Sequence, residues 1–274
     1  MPGKQYGIRF KKGKERWLDL SGTWDAQIRK QMEYLPEKTF FNYMASAMFN
    51  GMISPVSPYK ICAVIYYQGE SDVGHPNRYA LEFRALVNDW RKSWKEKQLP
   101  IIYVQLAGFS DGNIKKQGTQ WAEFREVQRQ AMEIENTAMI QAYDVGEYND
   151  LHPMDKKTLG MRAALAVHKL VYGEKEECTG PQVRKIRLDR DKRVHAVFDQ
   201  PLQTGSKKDG CELVSEVELR KANGDYKRAY VTVDGNEICA WLSDGEEPTG
   251  IRYAWKDCPM NICPVSYTHL TLPT

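Results

Sequence analysis

ICAVIYYQGESD, residues 61–72, is the stretch that decides the fold. Residues 61–66 are apolar, with β-branched and aromatic side chains, and polarity then jumps at Gln68, Gly69, Glu70, Ser71 and Asp72. A short unbroken apolar run is the pattern of a strand covered on both faces, as in a parallel sheet. Small and polar residues directly after it mark a carboxyl edge, where open α/β sheets keep their chemistry.

Two more segments repeat this reading. IIYVQL (101–106) is a second buried strand ending at Gln105, and TAMIQA (137–142) a third, followed by a loop with Asp144, Glu147, Asn149, Asp150 and His152. Helical segments alternate with them. Phe, Met and Ala over 40–52 suggest a helix closed by Gly51 and Pro55. Tyr79, Phe83, Leu86, Val87, Trp90 and Trp94 fall at helical spacing, as do Trp121, Phe124, Gln128, Ala131 and Ile134. Asp155 caps a helix over 156–171 that Gly173 stops. Helix and strand in alternation predict a parallel sheet covered on both faces, with all strand ends on one edge.

After Pro181 the period changes to two, with turn pairs Asn223-Gly224 and Asp234-Gly235. This predicts an antiparallel β-sandwich module. The expected organisation is a strap or trailing β insertion at 1–36, an α/β domain at 37–180, a β module at 181–264, and a tail at 265–274. That tail, VSYTHLTLPT, resembles translated adapter sequence rather than native chain.

Composition excludes several classes. The 274 residues are 42% hydrophobic and carry a net charge of only +3, with both signs interspersed, so nothing favours nucleic acid. No run approaches the roughly 18 apolar residues of a membrane helix. The six cysteines form no Cys-x-x-Cys pair, and no phosphate loop, dinucleotide fingerprint or metal-binding histidine pair is present. No metal and no cofactor are therefore expected. A disulfide among Cys211, Cys239, Cys258 and Cys263 stays open. Residues 1–14 are basic without an apolar core, so they are not a signal peptide.

His152, after a strand and among carboxylates, is a candidate general base, because imidazole titrates near neutral pH. Asp150 or Asp144 would fix its other nitrogen. Gly69 N–H and the Gln68 amide are candidate oxyanion donors. Ser71 is not in a Gly-x-Ser-x-Gly elbow, since Gly74 falls one place late; it either attacks or bonds its own turn. Arg125 and Gln128 either reach back to Glu70 or are a surface arginine and a satisfied glutamine.

FNGMISPVSPYKICAVIYYQGESD (49–72) resembles the sialate O-acetylesterase family of carbohydrate esterases, within the SGNH-type hydrolases, whose usual reading is FNGMIxPLxPYxIxGVIWYQGESN. Tyr66 stands where the family has Trp, and Asp72 where it has Asn. NRYALEFRALVNDWRKSW, LPIIYVQLAGF, WAEFREVQ, NTAMIQAYDVGEYNDLHPMDKKTLGMRAALAV and GIRYAW follow in order, so the resemblance covers residues 40–255. It implies a flavodoxin-like three-layer SGNH hydrolase domain plus a small antiparallel β-sandwich, acting on acetylated carbohydrate such as sialic acid. By this resemblance His152 is the base and Asp150 its partner, while Gln68, Gly69 and Glu70 line the acyl site with Gln105 and Arg125 in support. Asn149 occupies the place that many SGNH enzymes give the Asp. The family's Gly-Gln-Ser-Asn-Met nucleophile block is absent from these residues. The expectation is a sheet lacking its first strand, truncated at the N-terminus and at the C-terminus, and inactive as written. A full-length form would be periplasmic or secreted. The alternatives are a non-catalytic glycan-binding protein on the same fold and a glycosidase using Glu70 and Asp150.

Overall fold

A computed structural model describes residues 7–12, 14–19, 23, 40, 44–110, 118–175, 178, 180–202 and 216–259. The tail at 265–274, Cys211 and Cys263 lie outside these. The chain divides into two compact units, Met1–Phe49 and Asn50–Thr274. In the first, β1 (Gly7–Lys12) and β2 (Lys14–Asp19) pair antiparallel, from Gly7 opposite Asp19 to Lys12 opposite Lys14.

Of the helix the sequence suggests over 40–52, residues 41–43 lie outside the described ones, and what is described is a short helical piece, α at 47–48 running into one π-helical turn, Phe49–Ile53. Gly51 weakens helix here, and Pro55 and Pro58 remove the donors it would need to continue.

The second unit holds a parallel sheet of order β3-β4-β5, comprising β3 (Val64–Tyr66), β4 (Ile101–Gln105) and β5 (Thr137–Gln141). Val64 pairs with Ile101, which pairs with Thr137, so the three carboxyl ends fall on one edge. Side-chain alternation sends Ile101, Tyr103 and Met139 to one face. There they pack with Tyr79, Phe83 and Val87 of α1 (Pro76–Ser93) and Phe124 of α2 (Gln120–Gln130). Ile102, Val104, Ala138 and Ile140 go to the other face, against Leu159, Ala163 and Ala166 of α3 (Lys156–Tyr172). The result is three layers, helix on sheet on helix.

The strand at 61–66 departs from expectation. Only Val64–Tyr66 is strand, and Ile65 is 58% exposed. β3 pairs with β4 on one side, and no strand among the described residues pairs with its other edge. An edge strand covers its apolar side chains only where a neighbour reaches them, which the local pattern does not encode. By contrast, β4 is buried at all five positions because it has a strand on each side.

Helix ends follow local chemistry. Asp155 accepts from the Thr158 N–H at 3.0 Å to cap α3, and Gly173 closes it at φ 70°. α2 is started from a distance. Thr119 makes no side-chain cap bond, and the Asp257 carboxylate instead accepts from the Trp121 N–H at 2.9 Å.

Beyond residue 182 two antiparallel sheets share one core. β6 (Val183–Leu188), β7 (Val194–Phe198), β10 (Tyr230–Asp234) and β11 (Glu237–Trp241) form the first, in order β10-β11-β7-β6. β8 (Val217–Arg220), β9 (Tyr226–Arg228) and β12 (Gly250–Tyr253) form the second, in order β12-β8-β9. Ala196, Phe198, Leu219, Ile238, Ala240 and Ile251 meet between them. Gly224 turns at φ 92°, as Asn223-Gly224 suggests. Asp234 remains in the ladder opposite Glu237, so the second turn falls on Gly235 and Asn236, one residue later than the sequence pair.

Candidate active site

The turn after β3 is built on a glycine. Gly69 has φ 149°, and a Cβ there would stand 2.6 Å from Phe124 Cε1 and 3.0 Å from Cζ. The close approach of Phe124 and the backbone angle both demand the missing side chain. Around it runs a chain of hydrogen bonds. Tyr66 O–H donates to Gln68 Oε1 at 3.0 Å, Gln68 Nε2 donates to Asp72 Oδ2 at 2.7 Å, and Arg78 donates to Asp72 Oδ1 at 2.9 Å. The orientation of the Gln68 amide is thereby fixed. Burial and then the Asp72 charge push the Tyr66 phenol up to about 12, so it stays a donor.

The loop after β5 is anchored at its base. Arg162 of α3 grips both oxygens of Asp144, at 2.7 and 2.6 Å, and donates to the Gln141 carbonyl at 2.6 Å. Both side chains are at least nine-tenths buried. Farther along, Ser110 N–H donates to the Tyr148 carbonyl at 2.6 Å. A Cβ on Gly146 would meet Ala107 Cβ at 2.8 Å, so the loop lies tight against the one after β4.

His152 stands at the tip, its side chain 88% exposed. Asp150 Oδ1 accepts from the His152 backbone N–H at 2.8 Å and lies 3.6 Å from its Nδ1. The second distance is an ion-pair separation rather than a hydrogen bond. Of the two carboxylates that sequence left open, Asp150 faces the imidazole and Asp144 is committed to Arg162.

These two segments share one cleft of about 380 Å³, lined by Tyr67, Glu70, Ser71, Leu151, His152 and Lys156. Gln68 and Gly69 form the turn directly behind Glu70. A second, apolar hollow of about 500 Å³ adjoins on the α3 side, and Tyr67 and Lys156 line both.

Two sequence candidates are placed elsewhere. Gln105 is fully buried, and its Nε2 donates to the Arg125 carbonyl at 2.9 Å. Arg125 is 1% exposed and donates to the backbone carbonyls of Lys256 and Asp257, tying α2 to the segment after β12. Burial pulls its guanidinium down to about 10 despite the opposing Asp257 charge. It makes no hydrogen bond or ion pair to Glu70. Gln128 turns to β4, accepting from the Leu106 N–H at 2.9 Å and donating to the Val104 carbonyl. Helical spacing puts Arg125 and Gln128 beside the sheet but does not say which partner each donor finds.

Lys156, Tyr67 and Leu151 are cleft residues that sequence reasoning missed. The available signal was position, since Tyr67 directly follows β3, Leu151 flanks His152 and Lys156 opens the helix after it. No group of three or more His, Cys, Asp or Glu able to hold a metal ion occurs among the described residues.

A family model described as carbohydrate esterase, sialic acid-specific acetylesterase matches residues 26–169, more than half of the chain. Sialate O-acetylesterase of Rattus norvegicus is 28% identical over 268 residues, covering 83% of this chain and 46% of its own length. The Homo sapiens enzyme of that name is 28% identical over 256 residues, covering 83% and 47%. The crystal structure of a carbohydrate acetylesterase from Xanthomonas citri superposes with a TM-score of 0.74 at 27% identity, over 83% of this chain and 54% of that one. The chain thus spans about half the length of the relatives it matches. With a three-layer α/β unit, an antiparallel module and a cleft at the strand ends, the chain belongs to the sialic acid-specific acetylesterase family of carbohydrate esterases.

Proposed function

We propose that this chain carries the base and the acyl-binding turn of a carbohydrate O-acetylesterase. The observation that carries the reading is the single cleft shared by Glu70, Ser71 and His152. In this reading a serine hydroxyl attacks the acetyl carbonyl. His152 takes the serine proton and returns it to the leaving sugar oxygen, while Asp150 stabilises the imidazolium. The Gly69 N–H, presented by a turn in which any side chain is strained, and a Gln68 amide held in one orientation stabilise the oxyanion. Water then releases acetate from the acyl-enzyme.

The nucleophile in this reading belongs to a Gly-Gln-Ser-Asn-Met block that these residues do not contain, so the 274-residue polypeptide turns over acetyl esters negligibly. The test is p-nitrophenyl acetate and an O-acetylated sialic acid, with the chain and its His152→Ala variant. Background rates for both are expected. Turnover abolished by His152→Ala would contradict the missing nucleophile and point to Ser71, which lines the same cleft. A longer polypeptide that includes the serine block is expected to gain His152-dependent hydrolysis, and an inactive one would contradict the esterase mechanism. A non-catalytic glycan binder is the second reading. It is favoured by the cleft's being formed without the serine, and that same longer polypeptide separates the two.

A further inference from the structure

The chain leaves β12 through Ala254, at φ 51°, a left-handed angle that residues other than glycine seldom adopt. Strain of this kind persists where the surroundings demand it. Beyond Ala254, residues 256–258 lie against α2 and the loop after β4, with Asp257 at the centre of the contact. Its carboxylate accepts from the Trp121 N–H at 2.9 Å, and its backbone N–H donates to the Gly118 carbonyl at 3.0 Å. Its carbonyl accepts from the Phe109 N–H at 3.2 Å and from Arg125 at 3.0 Å. A Cβ on Gly118 would stand 2.7 Å from the Asp257 carboxylate, and one on Gly108 3.2 Å from Cys258 Cα. Ser110, next along the loop after β4, is buried and donates its N–H to the Tyr148 carbonyl at 2.6 Å. From there the bonds are local to the loop after β5. Asp150 N–H donates to the Glu147 carbonyl at 3.1 Å, and Asp150 Oδ1 accepts from the His152 N–H at 2.8 Å. Capping α2 needs only the Asp257 carboxylate. It does not account for the backbone bonds to Phe109 and Gly118.

We propose that Asp257 is a positioning residue for His152, acting through the loop after β4; this rests on the reading of His152 as the base and brings the β module into the machinery that holds it. A base works only within hydrogen-bond reach of the proton it takes. The His152 side chain is exposed, so its place is set by the backbone that carries it. Ser110 ties that backbone at residue 148 from outside the loop, and Asp257 holds the residue before Ser110. The β module thereby grips the outer part of the loop after β5, while Arg162 grips its root independently.

Resonances of the full chain test this without turnover. Asp257→Ala is expected to shift the Tyr148, Asp150 and His152 amides and the His152 ring protons, with Asp144 and Arg162 unmoved. Protection of the Ser110 amide from exchange should fall about tenfold, the scale of one or two weakened hydrogen bonds. Asp257→Asn keeps an oxygen for the Trp121 N–H and should restore all of these signals. Changes confined to the first turn of α2, with residues 148–152 unmoved, would make Asp257 a cap alone and overturn the assignment. Asparagine behaving like alanine would overturn it too. Should Asp257→Ala fail to fold, native-state exchange of the unsubstituted chain decides. The Phe109, Ser110 and Trp121 amides are expected to open together with matched protection, and a Ser110 amide that opens independently of the other two overturns the assignment. The resonances decide this whether or not a longer polypeptide hydrolyses acetyl esters, so this assignment and the esterase reading fail separately.

Discussion

The two walls of the cleft are held in different ways. The turn after β3 is locked along its length: Gly69 against Phe124, Tyr66 to Gln68, Gln68 to Asp72, and Asp72 to Arg78. The loop after β5 is locked at its root by Arg162 and at its middle by Ser110, while His152 at the tip stays open to solvent. An oxyanion site gains from donors that need no reorganisation. A base must move a proton and meet a substrate, and apo geometry at such a group is often loose. The contrast suits a wall that binds and a wall that transfers.

Arg162→Ala should break the contrast most. It leaves the Asp144 carboxylate buried without its bidentate partner, and such losses cost about 3–5 kcal/mol. Urea unfolding would read this, and a loss under 1 kcal/mol would show that the root of the loop is not fixed by this pair. Gly69→Ala comes next. The added methyl meets Phe124 at a φ that side chains rarely adopt, so about 2–3 kcal/mol of destabilisation is expected in the same assay. A neutral result would mean the turn is pliant, and the two walls alike.

Asp72→Ala should have a smaller effect, about 1 kcal/mol, since it removes one acceptor from a part-buried amide. Its sharper readout is the Gln68 side-chain amide resonance, expected to move and broaden while His152 stays unchanged. The smallest effect is one of pH. Hydrogen bonds from the Thr158 hydroxyl and then its backbone N–H hold the Asp155 carboxyl below its ordinary value. A depressed pKa stabilises the fold above the unfolded value, near pH 4, and that contribution is lost as pH falls through the folded value. Asp155→Asn should therefore flatten the acid limb of amide-exchange protection in the first turn of α3. An unchanged limb would show that the cap is not the titrating group.

Much of this scaffold was legible in the sequence. β4 reads as buried because both of its neighbours are supplied by nearby segments, and α3 carries its own stop signals in Asp155 and Gly173. β3 was misread as covered because exposure at Ile65 depends on whether another strand lies alongside, which residues 61–72 do not specify. The long polar side chains were the hardest. Arg125 finds two carbonyls contributed by residues more than a hundred positions away, and Gln105 and Gln128 are absorbed between sheet and helix. Lys156 was overlooked because a lysine opening a helix reads as surface until the wall opposite it is known.

That the turn after β3 and the imidazole before Pro153 face one cleft is tested most directly by titrating His152 in solution. Amide resonances are followed as the pH is varied. The Glu70 and Ser71 amides are expected to shift along the His152 curve and to lose that inflection in His152→Gln. Amides at 70 and 71 that ignore the titration would place the two walls apart and contradict the shared cleft.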